Sequence, residues 1–250
     1  MDGITFKNRE GEELAAVLDV PEKHSGKAII LLHCFTCTKH HRILRGISEC
    51  LTGHGFAVLR FDFSGNGESE GRLEDATYTK MLSEVHEAIS YLRRRGFSKV
   101  GIAGHSMGAM LALLAAGQDR RISAVAFIAG SSQAARVREV FPPRAIEQAE
   151  REGSAKAFVY GREMVLKREF LLDVEKYNVG HEVAVLSRPL LIVHGSADAV
   201  IAPFHARQLH EWSGGHSTLE MIEGADHLFS GEAHLRRLRS LVCPWFREKL

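Results

Sequence analysis

The residues Gly104-His105-Ser106-Met107-Gly108 fit the pattern Gly-x-Ser-x-Gly. A strand-like run, KVGIAG, precedes them and a nearly apolar helix-like run, SMGAMLALLAAG, follows. That context presents a serine as a nucleophile on a sharp strand-to-helix turn, and the flanking glycines remove the Cβ groups that would forbid the turn. A serine hydroxyl attacks poorly until a base takes its proton and an acid orients that base. Two later segments offer both groups: LLIVHGSADAVI supplies Asp198 and STLEMIEGADHLF supplies His227, each just past a strand-like run. The chain order Ser, Asp, His suits nucleophile, orienting carboxylate and base. Asp226 is a rival for the carboxylate. Adjacent side chains in a turn seldom face one another, so Asp198 is preferred.

A second stretch, LLHCFTCTKHH (31–41), crowds Cys34, Cys37, His40 and His41 together. A C-x-x-C spacing permits a thiolate pair for a metal or a redox dithiol. The chain has no second C-x-x-C, so the two cysteines read as small residues of a loop. His40 and His41 open an expected helix (40–53) and read as exposed. A closed metal site needs four convergent ligands, and neither a metal nor any cofactor is expected. SGNGES holds a lone G-x-G without a third glycine or a Walker lysine, so it reads as a tight loop, with Asp62 anchoring backbone amides. His33, His105 and His194 are expected in structural hydrogen bonds. His205, His210, His216 and His234 are expected on the surface.

The elements that must position these groups alternate. Strand-like runs at 27–33, 56–62, 99–104, 122–130, 189–195 and 217–223 are separated by helical periodicity, which predicts parallel strands with crossover helices. Residues 75–95 place Met81, Leu82, Val85, Ile89 and Leu92 on one stripe. The opening residues predict an antiparallel hairpin around Asn-Arg-Glu-Gly. From 131 to 188 no convincing strand is visible, and a helical cap is expected there, between core segments 1–130 and 189–250.

Thirty-two basic against thirty-one acidic residues leave a net charge of +1, so neither a nucleic acid nor an anionic membrane is an expected partner. No run of 18 uncharged apolar residues predicts a membrane span. The charged opening lacks a secretory pattern, which predicts a soluble cytoplasmic protein. Four unevenly placed cysteines argue against a disulfide framework. A small molecule is the expected partner, and homodimer formation is left open.

At HCF, DFSGNGES, GHSMG, HGSAD and GADH the chain resembles serine hydrolases of the α/β-hydrolase fold over nearly its whole length. The resemblance implies a mostly parallel central sheet with helices on both faces. It further implies Ser106 as nucleophile, His227 as general base and Asp198 as its orienting carboxylate. The backbone N–H groups of Phe35 and Met107 would form the oxyanion hole. Cys34 stands where glycine is usual. HCFTC and FDFSGNGESEG also resemble the hydrolase half of proteins fused to an OsmC-like peroxidase module, whose activity is not carried over. The insert resembles the caps of bacterial cinnamoyl and feruloyl esterases and of monoacylglycerol lipases. Phe35, Met107, Phe141, Phe158, Tyr160 and Phe229 are the expected substrate-binding walls. The implied reaction is hydrolysis of carboxylic esters of small to medium or aromatic acyl groups through an acyl-enzyme. Peptidase, thioesterase and acyltransferase chemistry are alternatives on the same residues. A thiol redox protein using Cys34 and Cys37, or a non-catalytic binding member of the fold, would be of another class.

Overall fold

The computed structural model describes residues 3–250. An antiparallel hairpin comes first, β1 (Gly3–Lys7) and β2 (Glu13–Asp19). Its turn is held by Asn8, whose Oδ1 accepts the N–H groups of Glu10 and Glu12, both at 3.0 Å. Next come β3 (Lys27–Leu32), α1 (Arg42–Gly53), β4 (Ala57–Phe61), α2 (Tyr78–Arg94), β5 (Lys99–His105), α3 (Met107–Gln118) and β6 (Ile122–Ile128). After an insert the alternation resumes with β9 (Leu190–Gly195), α7 (Phe204–Trp212), β10 (Ser217–Ile222) and α8 (Glu232–Lys249).

These strands form one eight-stranded sheet in the order β1-β2-β4-β3-β5-β6-β9-β10, parallel from β4 to β10. The alternation of side chains along β3 explains the two layers. Ile29 and Leu31 pack with Ile43, Ile47, Leu238 and Phe246 of α1 and α8. Ala28, Ile30 and Leu32 pack with Leu82, Val85 and Leu111 of α2 and α3. Strands buried on both faces read as unbroken apolar runs, and KAIILL is one. Helix α3 is buried all round, which accounts for its lack of a polar face. Thr77 starts α2 by accepting the Lys80 N–H at 3.1 Å.

The insert departs from expectation. It contains a 3₁₀ turn (Ala134–Val140), α4 (Pro143–Glu152), α5 (Arg168–Val174) and α6 (Val179–Val185), but also a hairpin of β7 (Ser154–Val159) and β8 (Arg162–Lys167). Tyr160 and Gly161 form its two-residue turn, both with positive φ (48° and 80°), as tight hairpins require. Its inward residues on β7 are Ala155, Ala157 and Val159. So weak an apolar alternation, flanked by charge, is why the pattern read as helical.

The cysteines are also paired, contrary to expectation. Cys34 joins Cys37 within one loop, and Cys50 of α1 joins Cys243 of α8. The latter two lie 193 positions apart, and only the packing of α1 against α8 brings them together. Among the described residues no helix is long and apolar enough to cross a membrane.

Candidate active site

Ser106 occupies the turn from β5 to α3 with φ 57° and ψ −117°, a region that a non-glycine residue enters only when its surroundings hold it there. Its N–H donates to the Ile128 carbonyl at 2.9 Å. The glycines on either side are required by close approach. A Cβ on Gly104 would lie 2.0 Å from the Gly108 carbonyl oxygen, and one on Gly108 would lie 2.4 Å from that of Leu32.

Asp198 follows β9 and His227 follows β10, neighbouring parallel strands. Both loops therefore leave the same edge of the sheet as Ser106, as ligand sites of α/β folds do. His227 Nδ1–H donates to Asp198 Oδ2 at 2.8 Å, and His227 Nε2 lies 3.1 Å from Ser106 Oγ. The Asp198 carboxylate also accepts the Val200 and Ile201 N–H groups at 2.9 and 2.8 Å. His194 Nε2 lies 3.2 Å from it and 2.8 Å from the Ile201 carbonyl. Burial alone would raise the Asp198 pKa, but the hydrogen bonds from His194, His227 and Ile201 outweigh it and hold the group well below the usual carboxylate range. Asp226 takes no part. It accepts the Ser230 N–H at 2.8 Å.

Behind these groups stand two other histidines. His105 Nε2–H donates to the His227 carbonyl at 2.8 Å, tying the serine turn to the loop of the imidazole. His33 Nδ1–H donates to the Cys34 carbonyl at 2.8 Å while its Nε2 accepts the Phe63 N–H at 3.2 Å. Burial pulls His33 down to about 4 and His105 to about 3, so both are neutral.

Phe35 and Met107 both line a cavity of about 470 Å³ that opens over Ser106 and His227. Met107 is the first residue of α3, so its N–H is one of the helix-terminal donors without an intrahelical acceptor. The loop carrying Phe35 is clamped by Asp62. That carboxylate accepts the Lys39 N–H and Lys39 Nζ, both at 2.6 Å, and the Glu68 N–H at 3.0 Å. Sequence reasoning reached Asp62 as an anchor of amides but missed Lys39, a lysine almost wholly buried. A lysine two positions beyond Cys37 carries no signal of burial by itself.

The aromatic residues divide. Phe35 and Tyr160 line the cavity, and Phe141 backs Phe35 edge-to-face with ring centres 5.8 Å apart. Phe158 is 69% exposed and outside the lining, because the alternation of β7 turns it opposite to Ala157. Phe229 is fully buried behind His105, 6.4 Å away, and is likewise no wall. Residues without a motif complete the cavity: Tyr78, Met110, Val137, Val140, Ile201 and Leu228. His41, expected to be exposed, is half-buried in the lining. His205, expected on the surface, is buried against the Ser132 hydroxyl at 2.7 Å.

A strained serine at a strand-to-helix turn, with an imidazole and a carboxylate on later parallel strands, defines a class that the family comparison matches. Residues 27–158 fit the model of the alpha/beta hydrolase fold, and the chain belongs to that family. Among solved structures it is similar to Est1E from Butyrivibrio proteoclasticus with ferulic acid bound, at 26% identity and a TM-score of 0.85, covering 98% of each chain. It is also similar to the esterase domain of a Rhodothermus marinus protein, at 29% identity and a TM-score of 0.78, covering 99% and 98%. A Mycobacterium tuberculosis protein named as a phosphoribosyl transferase is 26% identical over 95% of this chain, which spans only 44% of that protein.

Proposed function

We propose that the protein is a serine carboxylesterase acting on small to medium carboxylic esters, aromatic acyl esters among them. The observation that carries the reading is the continuous array from Asp198 through His227 to Ser106 Oγ at one wall of an apolar cavity. Ser106 Oγ attacks the acyl carbonyl while His227 Nε2 takes its proton. The oxyanion that forms is met by the N–H groups of Phe35 and Met107, each worth on the order of 10²–10³ in rate. His227 returns the proton to the leaving alkoxide and the ester C–O bond breaks. Water, deprotonated by His227, then attacks the acyl-enzyme and releases the acid. Asp198 keeps the Nδ1–H tautomer and stabilises the imidazolium.

Residues 131–188 act as the cap in this reading, since Val137, Val140 and Tyr160 come from them. A cavity of about 470 Å³ is of the size that holds small organic ligands. The ferulic acid held by Est1E supports an aromatic acyl group against Phe35.

The experiment is a panel of p-nitrophenyl esters from acetate to laurate, with methyl cinnamate, on wild type and Ser106→Ala. The variant is expected to lose at least about 10³-fold in kcat and to escape labelling by a fluorophosphonate. Equal turnover by both proteins would refute the proposal.

A further inference from the structure

We propose that Cys34, His41 and His105 form a three-ligand zinc(II) site beside the serine turn once the Cys34–Cys37 disulfide is reduced. The three residues each offer one donor atom, and these atoms all lie within 4.8 Å of one another. His105 is fully buried, and donating Nε2–H to the His227 carbonyl leaves Nδ1 as the lone-pair nitrogen. That Nδ1 has no partner among the described residues, and the buried Nδ1 of His41 has none either. The two rings lie nearly parallel, 8° apart in plane, with centres 5.7 Å apart. His86, His194 and His205 also carry a buried ring nitrogen without a partner among the described residues, but the grouping with a cysteine is confined to His41 and His105. Two histidines with such a nitrogen, grouped with one sulfur, point to a partner that accepts lone pairs.

The donor chemistry suits zinc. Two imidazoles and a thiolate match its borderline softness, and rotation of the side chains closes their spread toward bonds of about 2.0–2.3 Å. Metal-bound histidines commonly donate their other N–H to a carbonyl, as His105 does. Cys34, Cys37 and His41 line the cavity, which gives the ion its entry path and leaves its fourth position open on that side. The site also gives a role to Cys34, where the loop departs from the glycine usual in the family.

Cys34 cannot ligate while joined to Cys37. A dithiol such as dithiothreitol reduces the bond by exchange: its two thiols become a cyclic disulfide, and Cys34 and Cys37 each gain a proton. Zinc then displaces the Cys34 thiol proton and forms the S–Zn bond. The oxidised loop excludes the ion and the reduced loop admits it. His105 arrives from β5, so the spacing within residues 34–41 carries no sign of it.

Cobalt(II) is the probe, since thiolate ligation gives an intense near-ultraviolet charge-transfer band. Protein reduced with dithiothreitol and desalted without oxygen is expected to bind one cobalt(II) per chain with that band, and oxidised protein to show none. Cys37→Ser, which leaves Cys34 a permanent thiol, should give the band without any reductant. Cys34→Ser should lose it, and His41→Ala should weaken binding at least about tenfold. Cys50→Ala should keep it, which separates this site from the other cysteine pair. Absence of the band from both reduced wild type and Cys37→Ser, or its survival in Cys34→Ser, would overturn the proposal.

Discussion

Asp198, not Asp226, is the carboxylate that faces His227, although Asp226 is its neighbour in the chain. Asp198 Oδ2 lies 2.8 Å from His227 Nδ1, whereas Asp226 is turned toward the Ser230 N–H. Asp198→Asn should therefore lower kcat on an activated ester by on the order of 10⁴-fold, because an amide favours the wrong imidazole tautomer. Asp226→Asn keeps the oxygen that accepts Ser230 and should change kcat only a few-fold. Comparable losses in the two variants would contradict the assignment.

The same carboxylate makes a prediction about acid stability. The folded state holds the Asp198 pKa below its unfolded value of about 3.9. A depressed carboxyl contributes stability that is complete above the unfolded pKa and is lost as pH falls through the folded one. The difference in urea unfolding free energy between wild type and Asp198→Asn should shift against wild type as pH drops below about 4. A difference that stays constant down to the acid unfolding limit would show that the hydrogen bonds do not favour the anion.

Gly104 and Gly108 test the serine turn without touching its chemistry. The Cβ of Gly104→Ala would meet main-chain atoms of Gly108 at 2.0 and 2.1 Å, and backbone of a buried helix start has no room to yield. The expected cost exceeds the ~1–3 kcal/mol typical of overpacking, read as a large fall in melting temperature or loss of soluble protein. Gly153→Ala is the contrast. It ends α4 with φ 94° and has nothing within 4 Å, so only its backbone preference opposes alanine, at about 1–2 kcal/mol.

These residues also mark what sequence could reveal. The parallel strands were legible because strands buried on both faces are unbroken apolar runs. Asp198 follows such a run, Ser106 sits in a Gly-x-Ser-x-Gly turn after β5, and His227 follows β10, an edge strand of mixed, largely half-buried residues. The β7–β8 hairpin was not, since its inward face on β7 is mostly alanine. Phe158 and Phe229 were misplaced for a related reason. An aromatic type reports apolarity, but which way a side chain turns depends on strand parity and on what already fills the space behind. The pairing of Cys50 with Cys243 and the meeting of His41 with His105 are products of tertiary packing alone.

Lys39 and Asp62 test whether the loop bearing Phe35 depends on a buried ion pair. Both are almost inaccessible, and the pair is 2.6 Å apart. Removing one partner strands the other charge, which costs about 3–5 kcal/mol. Lys39→Met should lower the urea midpoint accordingly, with m unchanged. Glu68→Gln, at the exposed end of the same contact, should barely move it. If Lys39→Met is as stable as wild type, the clamp does not hold the loop.

Tyr160 and Phe158 sit two positions apart at the tip of the β7–β8 hairpin, and both are well exposed, at 64% and 69%. Tyr160 alone lines the cavity, so the two offer a matched pair for the role of residues 131–188. An aromatic wall that contacts the acyl group in both ground and transition states contributes uniform binding, which appears in KM and leaves kcat in place. Tyr160→Ala should therefore raise KM for methyl cinnamate about 3–10-fold, the loss of roughly 0.5–1.5 kcal/mol of aromatic contact. The same change should leave KM for p-nitrophenyl acetate almost untouched, because an acetyl group carries no ring for Tyr160 to meet. Phe158→Ala should alter neither substrate's KM. Parallel effects of the two substitutions would mean that the hairpin acts only by covering the cavity, with no direct contact from Tyr160 to the acyl group.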